Sequence, residues 1–245
     1  MTPLLPAERT APKADVSKKK ILLYGAPKIG KSTFCANADH AVFLATEQGL
    51  DHLDVYKVDV PDWATLTNVL AEIAAGVHEF KTIVIDTVDN AWRFAEDYIR
   101  AKYGIDYEGD LGYGKGWALI RNEFTRVITK ASMLPYGLMM TSHSTQISID
   151  TRTGPIKRMV PTIPERARKL IMGMADMILY CDQVTVTEKG VPVEQRVIRT
   201  KPSFFWEAGD RTGLLPETIP LNYAAFLMAY QQAVTTKDKK GESND

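Results

Sequence analysis

Short apolar runs alternate along this chain with stretches whose apolar residues recur every three to four positions. Residues 20–24, 41–45, 82–86 and 136–142 are nearly continuous apolar runs of strand length, the pattern of strands covered on both faces. Residues 56–60 make a shorter run, expected at a sheet edge. Residues 32–37 can open a helix, and residues 62–77 carry a helical period behind Asp62, a plausible N-cap. Residues 87–103 and 116–133 read as two further helices separated by a glycine-rich loop. This alternation predicts an α/β fold, a three-layer αβα arrangement with a mostly parallel sheet. The pattern then changes. Residues 145–149 and 156–160 flank Thr151-Arg152-Thr153-Gly154, a hairpin signal, and Pro164-Glu165 starts a helix to about Met174. Residues 177–181, 184–187 and 193–200 read as successive strands, the last two joined at Glu188-Lys189-Gly190. They predict an antiparallel extension at one end of the sheet, closed by a helix over 221–234.

The ends differ from the middle. Residues 1–17 hold three prolines and no apolar period, so a flexible arm is expected there. Residues 235–245 are charged and read as a disordered tail. Between them, 18–234 is expected to form one domain. Apolar residues make up 45% of the 245 and charged ones 24%, as in ordinary globular chains. Lys plus Arg equals Asp plus Glu at 30 each, so a polyanion partner must be met by a local patch. The two cysteines, Cys35 and Cys181, give neither a disulfide framework nor zinc spacing. No run approaches the ~18 apolar residues of a membrane span. The first residues lack the apolar core of a signal peptide. A cytoplasmic protein without membrane contact is expected.

The chemistry centres on Gly25-Ala26-Pro27-Lys28-Ile29-Gly30-Lys31-Ser32, which fits the phosphate-loop pattern G-x-x-x-x-G-K-[ST] between a strand and a helix. Its glycines let backbone amides turn toward phosphates. Lys31 is expected at the β- and γ-phosphates, the Ser32 hydroxyl on Mg²⁺, and the backbone from Gly25 to Thr33 around ATP. Asp86 ends the apolar strand at 82–86, where a carboxylate would enter the Mg²⁺ shell. Asp89 lies one helical turn on and is either an outer member of that shell or a first-turn acid favoured by the helix dipole. Many P-loop ATPases carry a glutamate directly after the metal aspartate. Here that position is Thr87, so the acid that orients water must come from elsewhere. Glu47 follows the strand at 41–45, at the crevice end of a parallel sheet.

The phosphate loop, the segment Thr46-Glu47-Gln48-Gly49-Leu50-Asp51 and a metal strand followed by a hydroxyl residue resemble the RecA-like ATPases. Within that group the chain looks most like compact phage proteins of the Sak single-strand annealing type, often labelled AAA-family ATP-binding proteins. That subgroup resemblance rests on Arg199-Thr200-Lys201 and Asp210-Arg211-Thr212-Gly213-Leu214-Leu215-Pro216. The resemblance implies a RecA-like P-loop core. It also implies a γ-phosphate sensor at His143, with Gln146 the second choice. Arg199, Lys201 and Arg211 become candidates for reaching a neighbouring subunit's nucleotide, although each also fits a solvated surface cation. Self-association into a ring or filament, binding of single-stranded DNA and a single-strand-binding protein as partner belong to the same expectation. The stretches matching the DNA-binding loops are 103–116 and 146–169. The first holds Tyr103, Tyr107, Tyr113, Lys115 and Trp117 beside the acids Asp106, Glu108 and Asp110. The second holds Arg152, Lys157, Arg158, Arg166, Arg168 and Lys169. Two rival functions stay open at this point: a small-molecule phosphotransferase, and a module that uses nucleotide only to assemble.

Overall fold

A computed structural model describes residues 15–152 and 154–242, with side chains except at 188 and 236–242. Ten strands form one sheet system. In chain order they are β1 (Lys20–Gly25), β2 (Ala41–Ala45), β3 (Tyr56–Asp59), β4 (Thr82–Asp86), β5 (Gly137–Thr151), β6 (Gly154–Pro161), β7 (Met177–Glu188), β8 (Val191–Arg199), β9 (Gly209–Asp210) and β10 (Thr218–Pro220). The path across the sheet is β10-β8-β7-β1-β5-β4-β2-β3, with β6 paired to β5 and β9 to β7. From β3 to β7 every pairing is parallel. Beyond β7 the pairings to β8 and then β10 are antiparallel, which is the expected extension.

Alternation along the central strands fills both faces, because successive side chains point to opposite sides. Leu22, Val42, Leu44, Ile83 and Ile85 pack beneath four helices: α2 (Trp63–Ala75), α3 (Val88–Tyr103), α4 (Lys115–Met133) and α5 (Glu165–Met174). Ile21, Leu23, Phe43, Val84 and Leu179 pack beneath α1 (Lys31–Ala36) and α6 (Tyr223–Glu242). The helix boundaries follow local chemistry. The Asp62 carboxylate accepts from Thr65 N at 2.7 Å, and α2 stops where Gly76 turns left-handed at φ 77°. None of the helices among the described residues is long and apolar enough to cross a membrane.

Four expectations change. Residues 136–142 and 145–149 are one strand, β5, because the polar stretch from Ser142 to Gln146 keeps its backbone in ladders to β1 and then β6. Residues 177–181 and 184–187 are likewise one strand: Asp182 and Gln183 pair with Val197 and Arg196 where β7 outruns β1. The end of the arm is packed. Val16 is buried in a 3₁₀ turn, Val16–Lys18, whose start is capped by Asp15 accepting from Ser17 N at 2.9 Å, whereas residues 1–14 lie outside the described residues. Finally, α6 runs on to Glu242 and takes in much of the expected tail, since no glycine or proline breaks it before Gly241. Residues 243–245 lie outside the described residues. The short strands β9 and β10 were not anticipated.

Candidate nucleotide-binding site

The phosphate loop leaves β1 at Gly25 and turns back through Lys28 (φ 62°) and Gly30 (φ 114°) into α1. Both sit in the left-handed region, which glycine adopts freely and lysine does not. Lys31 is buried, and its ammonium donates to Gly25 O at 3.0 Å and Ala26 O at 2.9 Å. Burial lowers its pKa from the usual 10.5, against the pull of nearby acids including Asp86 and Glu47. The loop carbonyls thus hold a cation that a phosphate would satisfy better.

Asp86 ends β4, and both of its carboxylate oxygens are used. Ser32 Oγ donates to Oδ2 at 2.7 Å, and Thr141 Oγ1 donates to Oδ1. Thr141 comes from β5, the strand between β1 and β4, and is fully buried. The convergence of hydroxyl and carboxylate oxygens suits Mg²⁺, a hard cation that takes few protein ligands. Thr87 Oγ1, buried directly after Asp86, has no hydrogen-bond partner among the described residues. These residues fit Mg-ATP.

Glu47 stands across the cavity. Thr46 Oγ1 accepts from Thr87 N at 2.7 Å and donates to Thr87 O at 2.8 Å, fastening the turn after β2 to the turn after β4. Asn90 Nδ2 reaches Glu47 Oε2 at 3.4 Å, and His143 Nε2 faces the same oxygen at 3.5 Å. About a third of each of the Glu47 and His143 side chains is exposed, so both are open to a ligand (35% and 31%). A cavity of about 560 Å³ joins Gly30, Lys31, Ser32, Thr33, Glu47, Asp86 and His143, and extends past Gln48, Leu50 and His52. His143 lines it. Gln146 is exposed further along β5, opposite Met159, and does not line it.

Asp89 turns out to serve β5. Its carboxylate accepts from Ser142 Oγ at 3.0 Å and from His143 N at 3.1 Å, so it latches the stretch of β5 that presents His143. Burial raises its pKa above the usual 3.8, with those two hydrogen bonds opposing. Thr141, Asn90 and His52 belong to the site but gave no signal in the sequence, because only strand register and loop packing bring them there.

The other candidates lie elsewhere. Arg199 pairs with Asp182 at 3.1 Å and stacks over Trp206, with 4.9 Å to the ring centre. Lys201 pairs with Asp210 at 3.2 Å, and Arg211 with Asp176 at 3.2 Å. None of the three lines the cavity. Arg152 and Lys157 are exposed on the β5–β6 hairpin, and Arg166 and Lys169 on α5. Arg158 is tied to Glu207 at 3.2 Å and Phe204 O at 2.9 Å, and Arg168 donates to Pro161 O at 3.3 Å. In the loop after α3, the three acids are not all free. Glu108 pairs with Arg100, and Asp110 accepts from Asp106 N and Tyr107 N, while Tyr107 and Tyr113 remain exposed.

A parallel sheet whose first strand feeds this loop, with a carboxylate delivered beside the loop's serine, defines a P-loop nucleotide-binding core. A family profile described as an AAA domain matches residues 17–212, and the chain belongs to that family. A curated relative, the SPbeta prophage-derived uncharacterized protein YorG of Bacillus subtilis (strain 168), is 21% identical over 189 residues, covering 74% of this chain and 54% of the relative. The chain therefore spans about half the length of that relative.

Proposed function

We propose that this chain is a RecA-like, Mg-ATP-hydrolysing protein of the cytoplasm that binds single-stranded DNA and assists annealing or strand exchange in phage-type recombination. The carrying observation is the cavity that gathers Lys31, the Ser32–Asp86 pair, Glu47 and His143 after the ends of β1, β4 and β2 and midway along β5. Mg²⁺, when bound, would draw charge from the phosphates. Ser32 and Asp86 are the residues to hold it, and Thr141 keeps Asp86 oriented. Lys31 exchanges its loop carbonyls for phosphate oxygens. Glu47, steadied by Asn90, orients and deprotonates the attacking water. His143, between Glu47 and the Asp89 latch, donates to the terminal phosphate and reports its presence to β5.

Support for the DNA reading is of two kinds. The exposed cations Arg152, Lys157, Arg166 and Lys169 stand on the hairpin that continues β5 and on the helix after it. The relative's printed name is of prophage origin. Assembly into a ring or filament, with Arg199, Lys201 or Arg211 reaching a neighbour, would require those cations to exchange their internal partners on assembly.

Glu47→Gln tests the catalytic reading. Turnover should fall by about 10²–10⁴-fold while ATP still binds. Undiminished hydrolysis would reject the role. Phosphate transfer to a nucleoside monophosphate, or no turnover in wild type with nucleotide-dependent growth in particle size, would each replace this function with one of its rivals.

A further inference from the structure

The flank of the phosphate loop away from Glu47 is formed by the β7–β8 ribbon. Gly25, the last residue of β1, pairs with Cys181, and β7 then continues past it to Glu188, laddered to β8. On β8, Ile198 points into the core beneath α1 and α6. Arg196 lies two residues earlier and so shares that face, opposite Gln183 and above the level of Gly25. This alternation brings its guanidinium against the phosphate loop: a Cβ on Gly30 would lie 3.7 Å from Arg196 Nη1.

Arg196 is also uncommitted. Among the described residues its guanidinium makes no hydrogen bond or ion pair. Arg199, Lys201, Arg211 and Arg158, by contrast, are each held by a carboxylate. Glu194, the acid next along the same face, is engaged by Gln183 Nε2 at 2.5 Å. Three cations, Lys28, Lys31 and Arg196, therefore converge on one turn of backbone, while Asp86 and Glu47 stand on its far side. Like charges so placed are relieved by a polyanion, and a guanidinium matches phosphate oxygens in a bidentate way.

We infer that Arg196 is a phosphate-binding residue acting within its own chain, on the non-transferred phosphates of a nucleoside diphosphate or triphosphate. Glu47, Asp86 and His143 gather on the side of β5, β4 and β2, where the terminal phosphate would react. Arg196 stands on the opposite flank and so contacts the phosphates that ADP and ATP share. This inference rests on the nucleotide reading above.

Equilibrium binding of fluorescent ADP to the full chain, with unlabelled ADP and ATP as competitors, tests it. Wild type should bind and Lys31→Ala should not. Arg196→Ala should weaken ADP and ATP alike by about tenfold or more, with Arg196→Lys in between. Arg196→Gln, which keeps most of the stem, decides the matter should the alanine variant not fold. Wild-type affinity in folded Arg196 variants overturns the inference, as does a loss confined to ATP. Failure of wild type to bind either nucleotide brings down the nucleotide reading itself, and this inference with it.

Discussion

Alanine at position 25 would place a methyl carbon 2.6 Å from the carbonyl oxygen of Cys181 and 2.8 Å from its Cβ. Gly25 has no left-handed φ, so its need for glycine is space against β7, whereas that of Gly30 is backbone conformation. The obstructing oxygen is main chain in a central strand pair and cannot rotate away. Relief requires β1 and β7 to part, or the loop to shift at the residue whose carbonyl anchors Lys31 at 3.0 Å. Overpacking of this kind costs about 1–3 kcal/mol, and rigid backbone on both sides favours the upper half. At about 2–4 °C per kcal/mol for a chain of this size, Gly25→Ala should melt roughly 4–12 °C below wild type. Nucleotide affinity should fall too, because the shift displaces the Lys31 anchor. Gly109→Ala, whose methyl meets nothing within 4 Å, is the matched control and should stay within about 0.5 kcal/mol of wild type. Calorimetry with and without ATP reads both effects. A Gly25→Ala protein that melts like the control and binds ATP normally would refute the packing argument.

Thr141→Val keeps the shape of a buried side chain but removes the hydroxyl that donates to Asp86; the Mg²⁺ concentration needed for half-maximal ATP turnover should rise about tenfold, the worth of one hydrogen bond to a charged group. Asp89 has a folded pKa raised above 3.8, so the native state holds its proton more tightly than the unfolded chain does, and its contribution to stability declines as pH climbs through that raised value. Denaturant titrations of wild type and Asp89→Asn from about pH 3 to about pH 7 should show wild type losing ground to the variant as pH rises; a constant difference would contradict burial as the dominant cause. For single-stranded DNA, four exposed cations (Arg152, Lys157, Arg166 and Lys169) predict a log–log salt slope of about −3, from roughly −0.7 per phosphate contact. A slope near zero in a binding titration across salt would remove these residues from any DNA surface.

The phosphate loop, Asp86 and Glu47 were legible because each is a particular residue type at the end of an apolar run, and a parallel sheet collects such ends at one edge. The central strands and the long helices were legible for the same reason of period. Strand continuity was not. Polar residues at 143–144 and at 182–183 look like breaks, yet in β5 and β7 they sit where the strands leave the covered sheet and pair as ribbons. Roles that depend on register were hidden as well. Asp89 was left open between the metal's outer shell and the first turn of its helix; it does stand in that first turn, and register alone shows that its carboxylate holds β5 at His143. Arg199, Lys201 and Arg211 looked alike as late cations, and nothing in their spacing tells that each has a carboxylate partner while Arg196 has none among the described residues.

β5 has one mechanical consequence. From Leu138 to Asp150 it contains neither glycine nor proline, and its backbone is clamped first by β1 and β4, then by β6. At about 3.3 Å per residue, roughly 26 Å of unhinged strand separates His143 from Thr151. Along that length no glycine or proline offers a hinge, so His143 and the hairpin tip are joined by one continuous, paired strand.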